Sequence, residues 1–140
     1  MGPSAAMTAS HHRRLVFDPP GTAACVSAGV AFVRRALEDW ELTDSPVTET
    51  DAVLVVAELL GNAVRHGGGA LRVDLDQQGT RLQIAVTDPG PGRPVPARGL
   101  RPDRVGGHGL VIVDRLSLDW GSIPNAGGKT VWADLALPGL

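Results

Sequence analysis

At Gly67-Gly68-Gly69 the chain changes its hydrophobic period, and that break constrains the fold more than any other feature. Upstream the apolar residues recur at helical spacing. Thr48 with Asp51 three positions on resembles a capping box, and from there a helix is expected to run to about His66. Its apolar content is high on several sides, Val53 to Ala57 being unbroken, which predicts a helix deep in the domain. Three glycines cannot sustain a helix cheaply and readily take the left-handed conformation that ends one. Downstream the period is two. Leu71, Val73 and Leu75 alternate with Arg72, Asp74 and Asp76, then a tight Gln77-Gln78-Gly79-Thr80 connection leads into Leu82, Ile84 and Val86, ending at Asp88. Two antiparallel strands are predicted.

The flanking segments extend the pattern. Arg14 to Phe17, closed by Asp18-Pro19-Pro20-Gly21, reads as an edge strand, because proline cannot donate to a sheet ladder. An amphipathic helix is expected from about Ala23 to Trp40, with Thr22 as N-cap and Val26, Val30, Val33 and Leu37 on its apolar face. Asp88 to Gly107 is rich in Gly and Pro, carries Arg93, Arg98, Arg101 and Arg104, and has neither period. A loop of that length in a compact domain is usually functional or disordered. Gly109 to Leu116 reads as a short helix, and Leu118 to Ile123 and Thr130 to Leu137 as a closing hairpin around Asn125-Ala126-Gly127-Gly128. The order implies an α+β two-layer sandwich, a mixed and mostly antiparallel sheet with helices on one face. The expected division is a disordered N-terminal tail over 1–13, ending in His11, His12 and Arg13, followed by one domain over 14–138.

Size and charge narrow the function classes. A chain of 140 residues with 43% hydrophobic residues fits a single domain with a substantial core. A net charge of −2 argues against binding nucleic acid through bulk charge, since phosphate backbones call for an excess of clustered Lys and Arg. Cys25 is the only cysteine, so an intrachain disulfide and a cysteine-built zinc site are excluded, and Cys25 is expected to be a small core residue in a cytoplasmic protein. No apolar run reaches the roughly 20 residues that span a bilayer, and Met1 to Ser10 does not resemble a signal peptide. Trp40, Trp120 and Trp132 are read as packing residues, without the aromatic-basic alternation of RNA-binding surfaces.

Three segments carry chemistry. Glu58, Asn62 and His66 lie four apart and line one slanting stripe of a helix, either its solvated face or a polar stripe kept for a ligand. Asp88-Pro89-Gly90-Pro91-Gly92 sets a carboxylate at a strand end where the backbone turns away; as a pattern it is also an ordinary turn. Gly106-Gly107-His108-Gly109-Leu110 opens a helix whose free N–H groups suit an anion such as a phosphate, although it lacks the Walker order and is weak evidence by itself.

Taken in order, Glu58-Leu59-Leu60-Gly61-Asn62-Ala63-Val64-Arg65-His66, Asp88-Pro89-Gly90-Pro91-Gly92 and Gly107-His108-Gly109-Leu110 resemble the N, G1 and G2 boxes of the GHKL, or Bergerat-fold, ATPases and kinases. This superfamily includes gyrase, histidine kinases and mismatch-repair ATPases. The resemblance runs from about Phe17 to Leu135 and includes Gly128-Lys129-Thr130-Val131-Trp132 near its end. It implies that ATP and Mg²⁺ are the cofactors. Asn62 would hold the cation through its amide oxygen, and Asp88 would accept a hydrogen bond from the adenine amino group. Gly90 and Gly92 would let the backbone lie against the base, Gly107, Gly109 and Leu110 would offer N–H groups to the phosphates, and Thr130 would support the adenine end beside Asp88. Arg65, His66 and His108 count among the ligand-binding positions, and Arg93 to Val105 becomes a lid.

Within the superfamily the chain most resembles the bacterial serine kinases that act as anti-sigma factors, on Glu58-Leu59-x-x-Asn62-Ala63-x-x-His66, the short length and the two opening helices. With no phosphoacceptor-histidine helix ahead of the domain, a stand-alone kinase is expected rather than a complete histidine kinase. The resemblance implies Glu58 as the general base toward a serine of an anti-sigma-factor antagonist, a sigma factor as a further partner, and a homodimer built through a sheet edge or the first helix. Two positions differ from the pattern: Ser27-Ala28-Gly29-Val30-Ala31 stands where an arginine commonly contacts a partner, and His108 stands where Arg or Lys is common. A non-catalytic nucleotide-binding module and an auxiliary ATPase in a signalling complex share the same pocket motifs.

Overall fold

A computed structural model of the chain describes residues 10–43, 46–91 and 108–137, with the side chains at 46–47 and 108–109 excepted. The elements follow as β1 (Ser10–Gly21), α1 (Cys25–Asp39), α2 (Pro46–His66), β2 (Ala70–Gln78), β3 (Arg81–Asp88), α3 (His108–Leu116), β4 (Asp119–Asn125) and β5 (Gly128–Ala136). The five strands form one sheet in the order β1-β2-β3-β5-β4. Among the described residues every pairing is antiparallel, so the sheet of the α+β sandwich is antiparallel there rather than mixed.

Side-chain alternation sorts the sheet into two faces. Val73 and Leu75, then Leu82, Ile84 and Val86, then Val131, Ala133 and Leu135 are buried on the inner face. Against them pack Val33, Ala36 and Leu37 of α1, Val55, Val56, Leu59, Leu60 and Ala63 of α2, Val113 of α3, and Trp120. Gly29 lets α1 approach α2 closely, since a Cβ there would collide with Leu60 Cδ1. Cys25 is buried beneath β1, and burial pushes its thiol pKa up.

The strand β1 starts at Ser10, so His11, His12 and Arg13 are strand residues and not the end of a tail; residues 1–9 lie outside the described residues. Periodicity concealed this start because two inward positions are polar. His11 stacks on Trp40 with ring centroids 5.0 Å apart and bonds Gln77 Oε1 at 2.7 Å. Arg13 lies over the same indole and donates to Asp39 at 2.8 Å. Polar groups thus reach the inner face where each has a partner.

Both expected helix caps are replaced. The N-cap of α1 is Ala24, with no side-chain cap, and Thr22 contributes only its carbonyl, which accepts from the Cys25 N–H at 2.8 Å. The helix α2 begins at Pro46, where a missing N–H costs nothing, so Thr48 and Asp51 are helix residues and Thr48 is buried. The far end of α2 is as expected. Gly67 and Gly69 both donate to Ala63 O, at 2.8 and 3.1 Å, and Gly68 and Gly69 have φ of 80° and 109°.

Of the tryptophans, Trp120 is buried and donates to Asp114 Oδ1 at 2.8 Å. Trp40 packs under β1, and the ring of Trp132 covers Gly121 of the neighbouring strand on the outer face. Among the described residues no helix is long and apolar enough to cross a membrane.

Candidate functional site

The site grows from the end of β3. Alternation places residues 82, 84, 86 and 88 on the inner face, so the strand delivers a carboxylate into the layer between sheet and helices. Asp88 is 1% exposed. Its Oδ1 accepts from the Gly90 N–H at 2.9 Å, which closes the turn, and from Lys129 Nζ at 2.9 Å. Among the described residues both bonds fall on Oδ1, leaving the acceptor capacity of Oδ2 for a further donor.

The end of α2 is packed onto this carboxylate. A Cβ on Gly67 would overlap the Asp88 carboxyl group, and a Cβ on Gly90 would lie 2.7 Å from Gly67 Cα. Helix terminus, strand-end acid and turn are therefore in contact because two of the three carry no side chain at the crossing point. Gly67 thus does more than end a helix.

Along α2 the stripe Glu58, Asn62, His66 flanks the buried row Val55, Leu59, Ala63. Glu58 and Asn62 are half-buried and His66 is exposed. Asn62 precedes Gly67 by five residues, about 7.5 Å of helix rise, so the amide sits little more than one turn from the contact with Asp88. Arg65 is exposed and its guanidinium lies back over Gly61. The helix α3 packs along α2 and starts at His108, one residue before the expected Gly109; Gly109 is in its first turn, and Leu110 is half-buried against the core. Gly92, Gly107 and the expected lid, Arg93 to Val105, lie outside the described residues, as does the side chain of His108.

Thr130 is not beside the Asp88 carboxylate. In the β3–β5 register Asp88 faces Lys129, while Thr130 faces Thr87 one position along, on the outer side of the sheet. There its hydroxyl bonds Thr87 Oγ1 at 2.8 Å and accepts from Asn125 Nδ2 at 3.0 Å. The residue that shares the inner face with Asp88 is Lys129, its side chain 13% exposed. Composition could not reveal it, but counting back from the Ala85–Trp132 pair along two alternating strands does.

An α+β sandwich carries, at the end of a central strand, a buried acid packed against the terminus of a core helix. The chain matches the histidine kinase-like ATPase domain over residues 21–135, and it belongs to that family. It is accordingly an ATP-binding domain of kinase-like type. No curated protein matches the chain.

Proposed function

We propose that the protein is an ATP-dependent serine kinase that acts as an anti-sigma factor and phosphorylates an anti-sigma-factor antagonist in the cytoplasm. The observation that carries the reading is the contact of the buried Asp88 carboxylate with the end of the helix that bears Glu58 and Asn62. It joins a base-reading group to a phosphate-end helix through one rigid element.

Asp88 is suited to accept from an exocyclic amino group through Oδ2, because a buried carboxylate bonds strongly and leaves little room for water. Gly90 keeps the turn against the helix end and brings the backbone close to the base. The N–H groups in the first turn of α3, Gly109 and Leu110 among them, have no intrahelical acceptor and would meet phosphate oxygens. Among the described residues no three His, Cys, Asp or Glu side chains gather as a metal cage. A divalent cation would be held by the Asn62 amide oxygen together with phosphate oxygens and water, a donor set that suits Mg²⁺. The cation would supply neutralisation of the transferring phosphate.

Glu58 stands one helical turn before Asn62 and is half-buried, so it would lie near the cation held by Asn62 and within reach of solvent. Its carboxylate would orient the serine hydroxyl of the partner and take its proton as the serine oxygen bonds to the γ-phosphorus and the bond to ADP breaks. The sigma factor is the second partner in this reading, with a homodimer formed through α1 or through an edge strand, β1 or β4. The test is to mix the protein, Mg-ATP and candidate antagonist proteins and to look for phosphoserine by mass spectrometry. Phosphoserine on one antagonist supports the kinase; nucleotide binding without transfer to any of them favours a non-catalytic module, and release of phosphate to water an auxiliary ATPase.

A further inference from the structure

The geometry points to Lys129 as a base-reading residue, whose ammonium donates to the ring nitrogen beside the amino group that Asp88 accepts from. This rests on the assignment of Asp88 to the base. The inner-face pairs of β3 and β5 run Leu82–Leu135, Ile84–Ala133, Val86–Val131 and Asp88–Lys129. The first three are apolar and buried on both sides. The fourth brings two charges into the same layer, at its open end, where α2 stops.

Stability does not account for that pair. Desolvating both ions offsets most of their attraction, and a packed apolar pair continuing the series would serve the fold as well. A partly buried, hydrogen-bonded donor next to a buried acceptor does account for it if both face a ligand edge that presents an acceptor next to a donor. Adenine has such an edge on either side of its amino group, with N1 on one flank and N7 on the other. Among the described residues Lys129 bonds Oδ1 of Asp88 alone, and an ammonium carries three N–H donors, so donors remain for a ligand, as does Oδ2 of Asp88. The flexible lysine stem lets the ammonium lean toward the base without breaking its bond to Oδ1.

Binding of three ATP analogues, measured by calorimetry on the full chain, tests this: one with carbon in place of N1, one with carbon in place of N7, and one lacking the amino group. The unaltered protein is expected to lose roughly ten- to a hundredfold in affinity for one of the two carbon-substituted analogues. Lys129→Met, which keeps most of the stem, is expected to bind ATP and that analogue alike, with thermal melting confirming that it folds. Equal binding of ATP and both carbon-substituted analogues by the unaltered protein, or undiminished discrimination by folded Lys129→Met, would overturn the assignment of Lys129. The analogue lacking the amino group reports on Asp88 separately. If it binds as tightly as ATP, the underlying base assignment fails, and the inference fails with it.

Discussion

Replacing Asp88 by Asn separates what this carboxylate does for the fold from what it does for the ligand. The change keeps the volume and an acceptor oxygen but removes the charge beneath Lys129, whose ammonium lies 2.9 Å away. Stripping one partner from a buried ion pair typically costs about 3–5 kcal/mol. Lys129 keeps 13% of its side-chain surface in contact with water, so a figure at or just below the bottom of that range, about 2–3 kcal/mol, applies here. Urea denaturation should register it as a lowered midpoint with an unchanged slope. Loss of a charge-assisted acceptor should also weaken ATP binding, by roughly ten- to a hundredfold, as read by calorimetry. A destabilised protein could lose ligand for trivial reasons, and the double variant Asp88→Asn with Lys129→Met removes that ambiguity. With both charges gone, stability should return to within about 1 kcal/mol of the original. ATP affinity should stay low. Recovery of affinity together with stability, or affinity unchanged in the single variant, would refute the placement of Asp88 against the base.

Further outcomes follow from the same geometry. Glu58→Gln should retain ATP binding and abolish phosphate transfer to a serine-bearing partner, and undiminished transfer in the mass-spectrometric assay would remove Glu58 from the mechanism. Gly67→Ala should destabilise by about 1–3 kcal/mol in urea and weaken ATP binding, because its methyl group and the Asp88 carboxylate cannot occupy the same space. On the outer face, burial raises the pKa of Asp74, but hydrogen bonds from Arg14 and His12 and the charges of Arg14 and Arg72 outweigh it, so the net shift is downward from 3.8. A depressed carboxylate stabilises the fold above its unfolded pKa, and that contribution is lost as pH falls below 3.8 through the folded value. Asp74→Asn should therefore flatten the acid limb of a melting-temperature profile; an unchanged limb would show that the pair contributes nothing.

What the sequence disclosed follows from which signals are local. The helix α2 and the β2–β3 hairpin were legible because three glycines separate a period of nearly four from a period of two, and each strand alternates cleanly. The beginning of β1 was hidden because His11 and Arg13 occupy inward positions, and only contacts with Gln77, Trp40 and Asp39, remote in sequence, make that tolerable. Thr22 and Thr48 carry the chemistry of caps, yet tertiary packing moved the true starts to Ala24 and Pro46. In the site, Asp88, Gly90, Glu58 and Asn62 stood out by motif. Thr130 was misplaced because a motif gives order along the chain but not the side of the sheet, and one step of alternation exchanges it for Lys129. In the sequence Gly67 shows only as a helix stop, because its contact with Asp88 joins residues 21 positions apart.

Paramagnetic broadening of side-chain and backbone amide signals by Mn²⁺-ATP tests the central claim most directly, since Mn²⁺ takes the oxygen ligands that Mg²⁺ does. The account predicts that broadening centres on the Asn62 side-chain amide and on the backbone amides of Gly109 and Leu110, while Thr130 and His12 on the outer face of the sheet stay sharp. Broadening centred on that outer face, with Asn62 unaffected, would contradict it.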